Sequence, residues 1–277
     1  FKQFLHPEEN HQLMNKYELL LMSKTTRQSE IRIQHRNGSW IWLEIKSTPV
    51  LNDANEIQHI ILVGRDISER KKYEQQLEFM AFYDYLTGVP NRRLFFDRLS
   101  RAISQAKLNG HALALLYMDC DRFKIINDTL GHDIGDDLLR NFVQRIQTCI
   151  RDTDTLARLG GDEFVVLLTH VHSTRDVDQI ASRILSELRA PWRLGNEEIT
   201  MTSSIGISLY PYDSDNENVL IKYADLALYD AKQNGKNHYR YYKAELSARH
   251  AEQIGEESMS MALENNEFYL YYQPKYS

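Results

Sequence analysis

The chain has 277 residues, of which 42% are hydrophobic, 10% aromatic and 26% charged, the composition of a globular protein with a sizeable core and not of a disordered one. Its net charge of −6 excludes a nucleic-acid binder that relies on bulk positive field, so any anionic ligand must be held by a few placed groups. No apolar run reaches the roughly 18 residues of a membrane span and no secretory signal opens the chain, while Cys120 and Cys149 are too few for a metal framework and are read as buried thiols of a cytoplasmic protein.

A short helix is predicted after His6-Pro-Glu-Glu9, followed by strands over 30–63. Ile31, Ile33 and His35 alternate, Asn37-Gly38 marks a tight hairpin turn, Ile41, Leu43 and Ile45 alternate after it, and the apolar run 59–63 adds a further strand. Trp40 and Trp42 are expected to pack this antiparallel sheet rather than line a pocket. The segment 66–80 is charged, lacks Gly and Pro, and places Tyr73, Leu77 and Met80 on one stripe. It predicts a connecting helix capped by Asp66 or Ser68. Its stripe suits either a short coiled coil between two copies or packing against its own domain.

Beyond Asp84 helices and strands alternate: a helix over 92–107, a buried strand over 112–118, a helix over 136–150, strands over 155–159 and 163–168 around Gly160-Gly161, and a helix carrying Val177 to Leu188. One half-buried strand is predicted over 199–209, then a helix over 218–232 and a strand over 238–242. The pattern is that of an α/β domain of roughly 160 residues.

Acidic residues stand where strands end or turn: Asp119 and Asp121 after the first strand, Asp162 and Glu163 after the glycine pair. A hard cation takes one or two carboxylates beside water, backbone carbonyls and substrate phosphates, and Asp119 with Asp162 suits that role. In a regular strand the side chain of Glu163 points away from that of Asp162, so both face one site only if the turn distorts the strand. Lys124, Asn127, Asp136, Arg158, Lys232 and Lys236 are candidates for nucleotide binding: cations neutralise phosphates, and an amide with a carboxylate matches the edge of guanine. No Walker-type phosphate loop is present.

The stretch Arg158-Leu-Gly-Gly-Asp-Glu-Phe164 contains the sequence for which the GGDEF family of diguanylate cyclases is named. The segments 84–93, 118–128, 131–136, 204–208 and 229–237 also resemble that family's motifs, in its order. The resemblance implies an α/β (α+β), palm-like nucleotide-cyclase fold, with a central mixed sheet flanked by helices. It also implies Asp119 and Asp162 as metal ligands joined by the backbone carbonyl of Cys120, and Glu163 near the metals and the attacking hydroxyl. Asn127 and Asp136 would read guanine; Lys124, Arg158, Lys232 and Lys236 would contact phosphates; Phe123 and His132 would wall the pocket. Two Mg2+ or Mn2+ ions, GTP as substrate, cyclic di-GMP as product and a homodimer with one GTP per subunit follow from the same resemblance.

Arg151-Asp-Thr-Asp154 resembles the family's product-inhibition site, with Arg183 a further candidate there. Lys236 stands where the family usually has Arg, which keeps charge but loses bidentate geometry, and Cys120 where an aliphatic residue is commoner. The chain before residue 66 resembles the C-terminal part of a PAS domain, and 261–275 resembles the opening of an EAL phosphodiesterase domain. The expected organisation is therefore a partial PAS domain over 1–66, a helical linker over 67–82, a cyclase domain over 83–243 and a linker with a truncated EAL start over 244–277. The open ends are expected to be those of an excised piece. An active cyclase is the leading expectation; a catalytically silent GTP- or cyclic di-GMP-binding module controlling an EAL partner is the alternative.

Overall fold

The computed structural model describes residues 4–194 and 197–247; the stretch resembling an EAL start lies outside them. The chain divides into two compact units, Phe1–Met80 and Ala81–Ser277.

In the first unit, helix α1 (Glu9–Ser23) precedes strands β1 (Arg27–Gln34), β2 (Trp40–Leu51) and β3 (Ile57–Asp66), which form an antiparallel sheet in the order β1-β2-β3. Gly38 takes φ +88° in the β1–β2 turn, a conformation that favours glycine, and Asn37 Oδ1 accepts from the Ser39 amide and hydroxyl. Leu5, Ile31 and Ile45 form a small core. The Arg32 guanidinium and the Lys71 ammonium each lie over the Trp42 ring, 5.3 Å from a ring centre, so the indole packs on the sheet under charged groups. Trp40 is largely exposed, with its ring edge-on to His6.

Helix α2 (Ser68–Phe82) starts where predicted, and of the two candidate caps Asp66 accepts from its first amide while Ser68 turns its hydroxyl to β2. Asp66 Oδ1 accepts from the Ser68 amide at 2.8 Å, and Ser68 Oγ accepts from the Trp42 amide at 3.0 Å. The helix buries none of its residues: Tyr73, Leu77 and Met80 are 61%, 68% and 58% exposed.

The second unit runs α3 (Arg92–Asn109), β4 (Ala112–Cys120), α4 (Phe123–Leu130), α5 (His132–Gln147), β5 (Thr155–Gly160), β6 (Glu163–Val171), α6 (Thr174–Arg189), β7 (Trp192–Leu194), β8 (Glu197–Ile199), β9 (Ser203–Tyr210), α7 (Glu217–Gln233) and β10 (Tyr239–Tyr241). The central five-stranded sheet has the order β10-β9-β4-β6-β5, parallel between β10 and β9 and antiparallel elsewhere. Side chains alternate across it. Ala114, Leu116 and Met118 of β4 with Phe164 and Val166 of β6 join a core with α5 and α6, while Leu113, Leu115 and Tyr117 with Val165 and Leu167 join another with α3 and α7. Both cysteine thiols are buried, as expected.

Local signals set the helix ends. Asn91 accepts from the Leu94 amide to cap α3, Gly110 closes it at φ +68°, and Ser173 with Asp176 forms a reciprocal capping box for α6. Two expectations are corrected. Helix α4 was not foreseen, because two helical turns carry too few apolar repeats to be seen. The single half-buried strand over 199–209 is two pieces: Ile199 belongs to a small β7–β8 hairpin, and β9 is buried on both faces. Its serines and glycine are contact residues. A Cβ on Gly206 would meet the carbonyl oxygen of Ala224 at 2.0 Å and the amide nitrogen of Leu228 at 2.1 Å, and Ser208 Oγ donates to the Leu220 carbonyl at 2.8 Å. Helix α7 therefore lies directly on the sheet.

Candidate active site

Strand parity brings the carboxylates together. Tyr117 and Val165 point to the α7 face of the sheet, so Asp119, two residues beyond Tyr117, and Glu163, two before Val165, point there too. The two are register partners across β4 and β6. Glu163 Oε2 accepts from the Tyr117 hydroxyl at 3.2 Å, and burial followed by the nearby Glu163 charge pushes that hydroxyl's pKa up. Helix α7 brings Lys232 Nζ to Asp119 Oδ2 at 2.8 Å.

By strand parity alone Asp162 would face away from Glu163. The ladder shifts register between Arg158 and Gly160, and Gly160 and Gly161 take φ +154° and +50°, so Asp162 lies in a turn and not in a regular strand. Its charge reaches Asp119. Burial pushes the Asp119 carboxyl up to about 6, the Asp162 and Asp121 charges add to the rise, and Lys232 opposes it.

The glycine turn is pinned from one side by Arg158. Its Nε and Nη2 donate to the Gly161 carbonyl at 2.9 and 2.7 Å, and its Nη1 donates to Asp84 Oδ1 at 3.0 Å. Asp84 also accepts from the Thr87 amide and hydroxyl. Burial alone would raise the Asp84 carboxyl; the Thr87 hydroxyl, Arg158 and the Thr87 amide hold it below the ordinary carboxylate value. The Arg158 amide in turn donates to the Pro90 carbonyl. Asp84 was not foreseen as a site residue, although it opens the quoted segment 84–93. Arg158, expected at a phosphate, holds the turn in this structure.

Asp121 is a second residue whose role the sequence left open. It is 5% exposed and accepts from Thr202 Oγ1, Ser204 Oγ and the Asn237 amide at 2.7, 2.8 and 3.2 Å. The hydroxyl of Ser203 donates to the Asp119 carbonyl. Asp121 thus anchors the end of β4 to β9 and to the turn beyond α7.

Five of the nucleotide candidates, Phe123, Lys124, Asn127, His132 and Asp136, lie on the helical hairpin that follows β4. Gly131, at φ +90°, joins α4 to α5. Phe123 is buried, Lys124 and His132 are exposed, and Asp136 is half-buried on α5. Asn127 Oδ1 is buried without a hydrogen-bond partner and stands over Gly135, where an added Cβ would meet it at 1.8 Å. Lys236 is exposed at φ +59° in the turn after α7. Arg151 is exposed, whereas Asp154 is buried and accepts from the Arg151 and Thr169 amides at 3.0 and 3.1 Å. Arg183 donates to the Cys149 carbonyl.

Among the described residues no three His, Cys, Asp or Glu side chains converge on one point. The donor set nevertheless fits a hard cation: a half-buried Asp119 carboxylate, whose charged form is disfavoured by burial and by the Asp162 charge, suits an ion that draws its other ligands from water and phosphate. No helix among the described residues is long and apolar enough to cross a membrane.

A family model described as "Diguanylate cyclase, GGDEF domain" matches residues 81–238, and a model of the PAS fold matches residues 1–63. The bifunctional diguanylate cyclase/cyclic di-GMP phosphodiesterase MucR of Pseudomonas aeruginosa is 39% identical over 202 residues, covering 73% of this chain and 29% of MucR. The cyclic di-GMP phosphodiesterase PdeR of Escherichia coli is 37% identical over 222 residues, covering 80% of this chain and 33% of PdeR. The chain thus spans a third or less of these relatives. Among solved structures, the GGDEF domain of PA1120 (TpbB or YfiN) from Pseudomonas aeruginosa superposes with a TM-score of 0.59 at 42% identity, covering 60% of this chain and 97% of that one.

Proposed function

The chain belongs to the GGDEF family of diguanylate cyclase domains, with a PAS fold before it, and we propose that it condenses two GTP molecules into cyclic di-GMP with release of two pyrophosphates. In each half-reaction the 3′-hydroxyl of one nucleotide attacks the α-phosphate of the other. The new P–O bond forms as the bond to pyrophosphate breaks, and the hydroxyl proton leaves to a base. The observation that carries this reading is the juxtaposition of Asp119 and Glu163 as cross-strand partners beside a glycine turn that brings Asp162 within electrostatic reach.

Asp119, Asp162 and the Cys120 carbonyl would hold Mg2+ or Mn2+, two ions per site with Glu163 close by. When bound, these ions lower the pKa of the hydroxyl and offset charge building on the phosphoryl group. The protein's own part is positioning. Asn127 Oδ1 is a buried acceptor lacking a donor, a state that costs about 1–3 kcal/mol until one arrives; the N–H edge of guanine supplies it, with Asp136 as second acceptor and Phe123 and His132 as walls. Lys124, Lys232 and Lys236 neutralise phosphates, Lys232 exchanging its Asp119 partner for phosphate oxygen. Glu163, oriented by Tyr117, is the acceptor for the hydroxyl proton.

One domain holds one GTP, so turnover requires a homodimer with two sites face to face. The exposed Tyr73, Leu77 and Met80 stripe of α2 supports a helix pair as the element that brings the copies together. Arg151, presented by the turn that Asp154 closes, is the contact for product. Each Asp154 oxygen keeps a further lone pair to accept from guanine. The reaction places the chain in the cytoplasm, where GTP is.

The alternative, a silent binding module acting on an EAL partner, draws on PdeR, which is named as a phosphodiesterase while sharing this stretch. Incubation with GTP and Mg2+ separates the two: a cyclase releases two pyrophosphates per cyclic di-GMP, and a folded dimer that binds GTP without releasing pyrophosphate refutes the enzyme reading. Glu163→Gln should abolish turnover while GTP still binds; turnover near the parent rate removes Glu163 from its role.

A further inference from the structure

At the end of the central sheet remote from the carboxylates, two imidazoles face each other. His111 stands just before β4 and His170 near the end of β6, with ring centres 5.2 Å apart. Eight residues separate His111 from Asp119, roughly 26 Å along an extended strand, so this pair is not part of the acidic site.

The backbone is shaped to make the pair. The β4–β6 register shifts between Ala112, paired with Val171, and Ala114, paired with Leu168. Leu113 therefore opposes both Thr169 and His170, and this bulge puts His170 at φ +59°. A left-handed residue other than glycine is uncommon, and bulges re-aim side chains. Here the bulge turns His170 toward His111.

We propose that His111 and His170 bind one borderline divalent transition-metal ion, such as Zn2+, completed by water and by side-chain oxygens nearby. With Zn–N at about 2.0–2.1 Å and about 1.1–1.2 Å from ring nitrogen to ring centre, a metal lies about 3.2 Å from each centre. At a tetrahedral angle the two centres then stand about 5.2 Å apart. The observed spacing equals that value, and the terminal torsion of histidine is soft enough to aim a ring nitrogen inward. Gln105, Asn109 and Thr169 line the adjoining cavity of about 30 Å³ beside both rings, and bring amide and hydroxyl oxygens. Imidazole prefers zinc, copper and nickel over magnesium, so this site and a carboxylate site for a hard cation select different metals.

The position gives the ion leverage. Thr169, in the same bulge, donates its amide to Asp154 and its hydroxyl to the Thr153 carbonyl. An ion held by His170 braces the segment that fixes the turn bearing Arg151.

The test is calorimetric titration of the full chain, stripped with chelator, with ZnCl2 in millimolar Mg2+, and with Co2+ read by visible absorption. One Zn2+ per chain with micromolar affinity is expected. Affinity should fall at least tenfold in His111→Ala and in His170→Gly, remain in His172→Ala, and remain in Asp119→Asn. Glycine takes the His170 backbone angle without strain, so His170→Gly decides the matter even if His111→Ala folds poorly. Unchanged zinc affinity and an unchanged Co2+ spectrum in His170→Gly would overturn the proposal, as would binding lost in Asp119→Asn but kept in the histidine variants.

Discussion

Replacing Arg158 by alanine separates a residue that holds the glycine turn from one that only touches substrate. Its side chain is 11% exposed and that of Asp84 17%, and it makes hydrogen bonds to Asp84 and to the Gly161 carbonyl. A hydrogen bond to a charged group contributes about 1.5–3 kcal/mol, and breaking a fully buried pair costs about 3–5; for this partly buried pair about 2–3 kcal/mol of destabilisation is expected in urea unfolding at pH 7. The sign of its pH dependence follows from Asp84. Its folded pKa is held below the unfolded value near 3.8, so the pair stabilises above that pH and the contribution fades as pH falls through the folded pKa. The gap between parent and Arg158→Ala should therefore be constant from pH 5 to 7, on the order of 2–3 kcal/mol, and narrow as pH falls through the folded Asp84 pKa, leaving the share that the Gly161 hydrogen bonds contribute. Arg158→Lys should recover the Asp84 pairing, and with it part of the stability, but not turnover, because an ammonium lacks the fork that reaches Gly161. A parent-like stability for Arg158→Ala across this range, with only KM for GTP raised, would refute the positioning role.

Gly206→Ala forces a methyl into the α7 backbone, with contacts as short as 2.0 Å that no side-chain rotation relieves. A loss of about 3 kcal/mol or more, seen as a fall in Tm of roughly 6–12 °C, is expected from overpacking in a domain of this size. Cyclase activity should fall further than stability alone explains, since Lys232 rides on the displaced helix. Arg151→Ala should relieve inhibition by cyclic di-GMP while leaving initial turnover unchanged, measured as pyrophosphate release with and without added product; unchanged inhibition would remove Arg151 from that site.

The placement of the candidates Asp119 and Glu163 was legible because both lie on regular strands. The run 112–118 and the glycine pair placed Asp119 and Glu163 near turns, and parity gave their shared face once the register was known. Asp162 was harder, since its direction depends on a turn whose geometry is set by two positive-φ glycines and by Arg158, 74 residues from its partner Asp84 in sequence. The serines of β9 misled because small polar residues read as a solvent face, whereas here they admit a helix backbone and bind buried carboxylate and carbonyl oxygens. Asp121 looked equivalent to Asp119 by composition. The hydroxyl and amide donors around it, from residues 202, 204 and 237, show that its carboxylate oxygens are already hydrogen-bonded within the fold.

Strand β5 forms one border of the central sheet, and a border strand is an open template for another chain. The hydrogen bond from the Arg158 amide to the Pro90 carbonyl closes part of that border with a residue that has no amide of its own to offer. Pairing stops there after a single bond. The segment 84–91 thus acts as a selvedge: it finishes the fabric at Arg158, beside the glycine turn. Pro90→Ala would put an amide at a point of the border that now presents none.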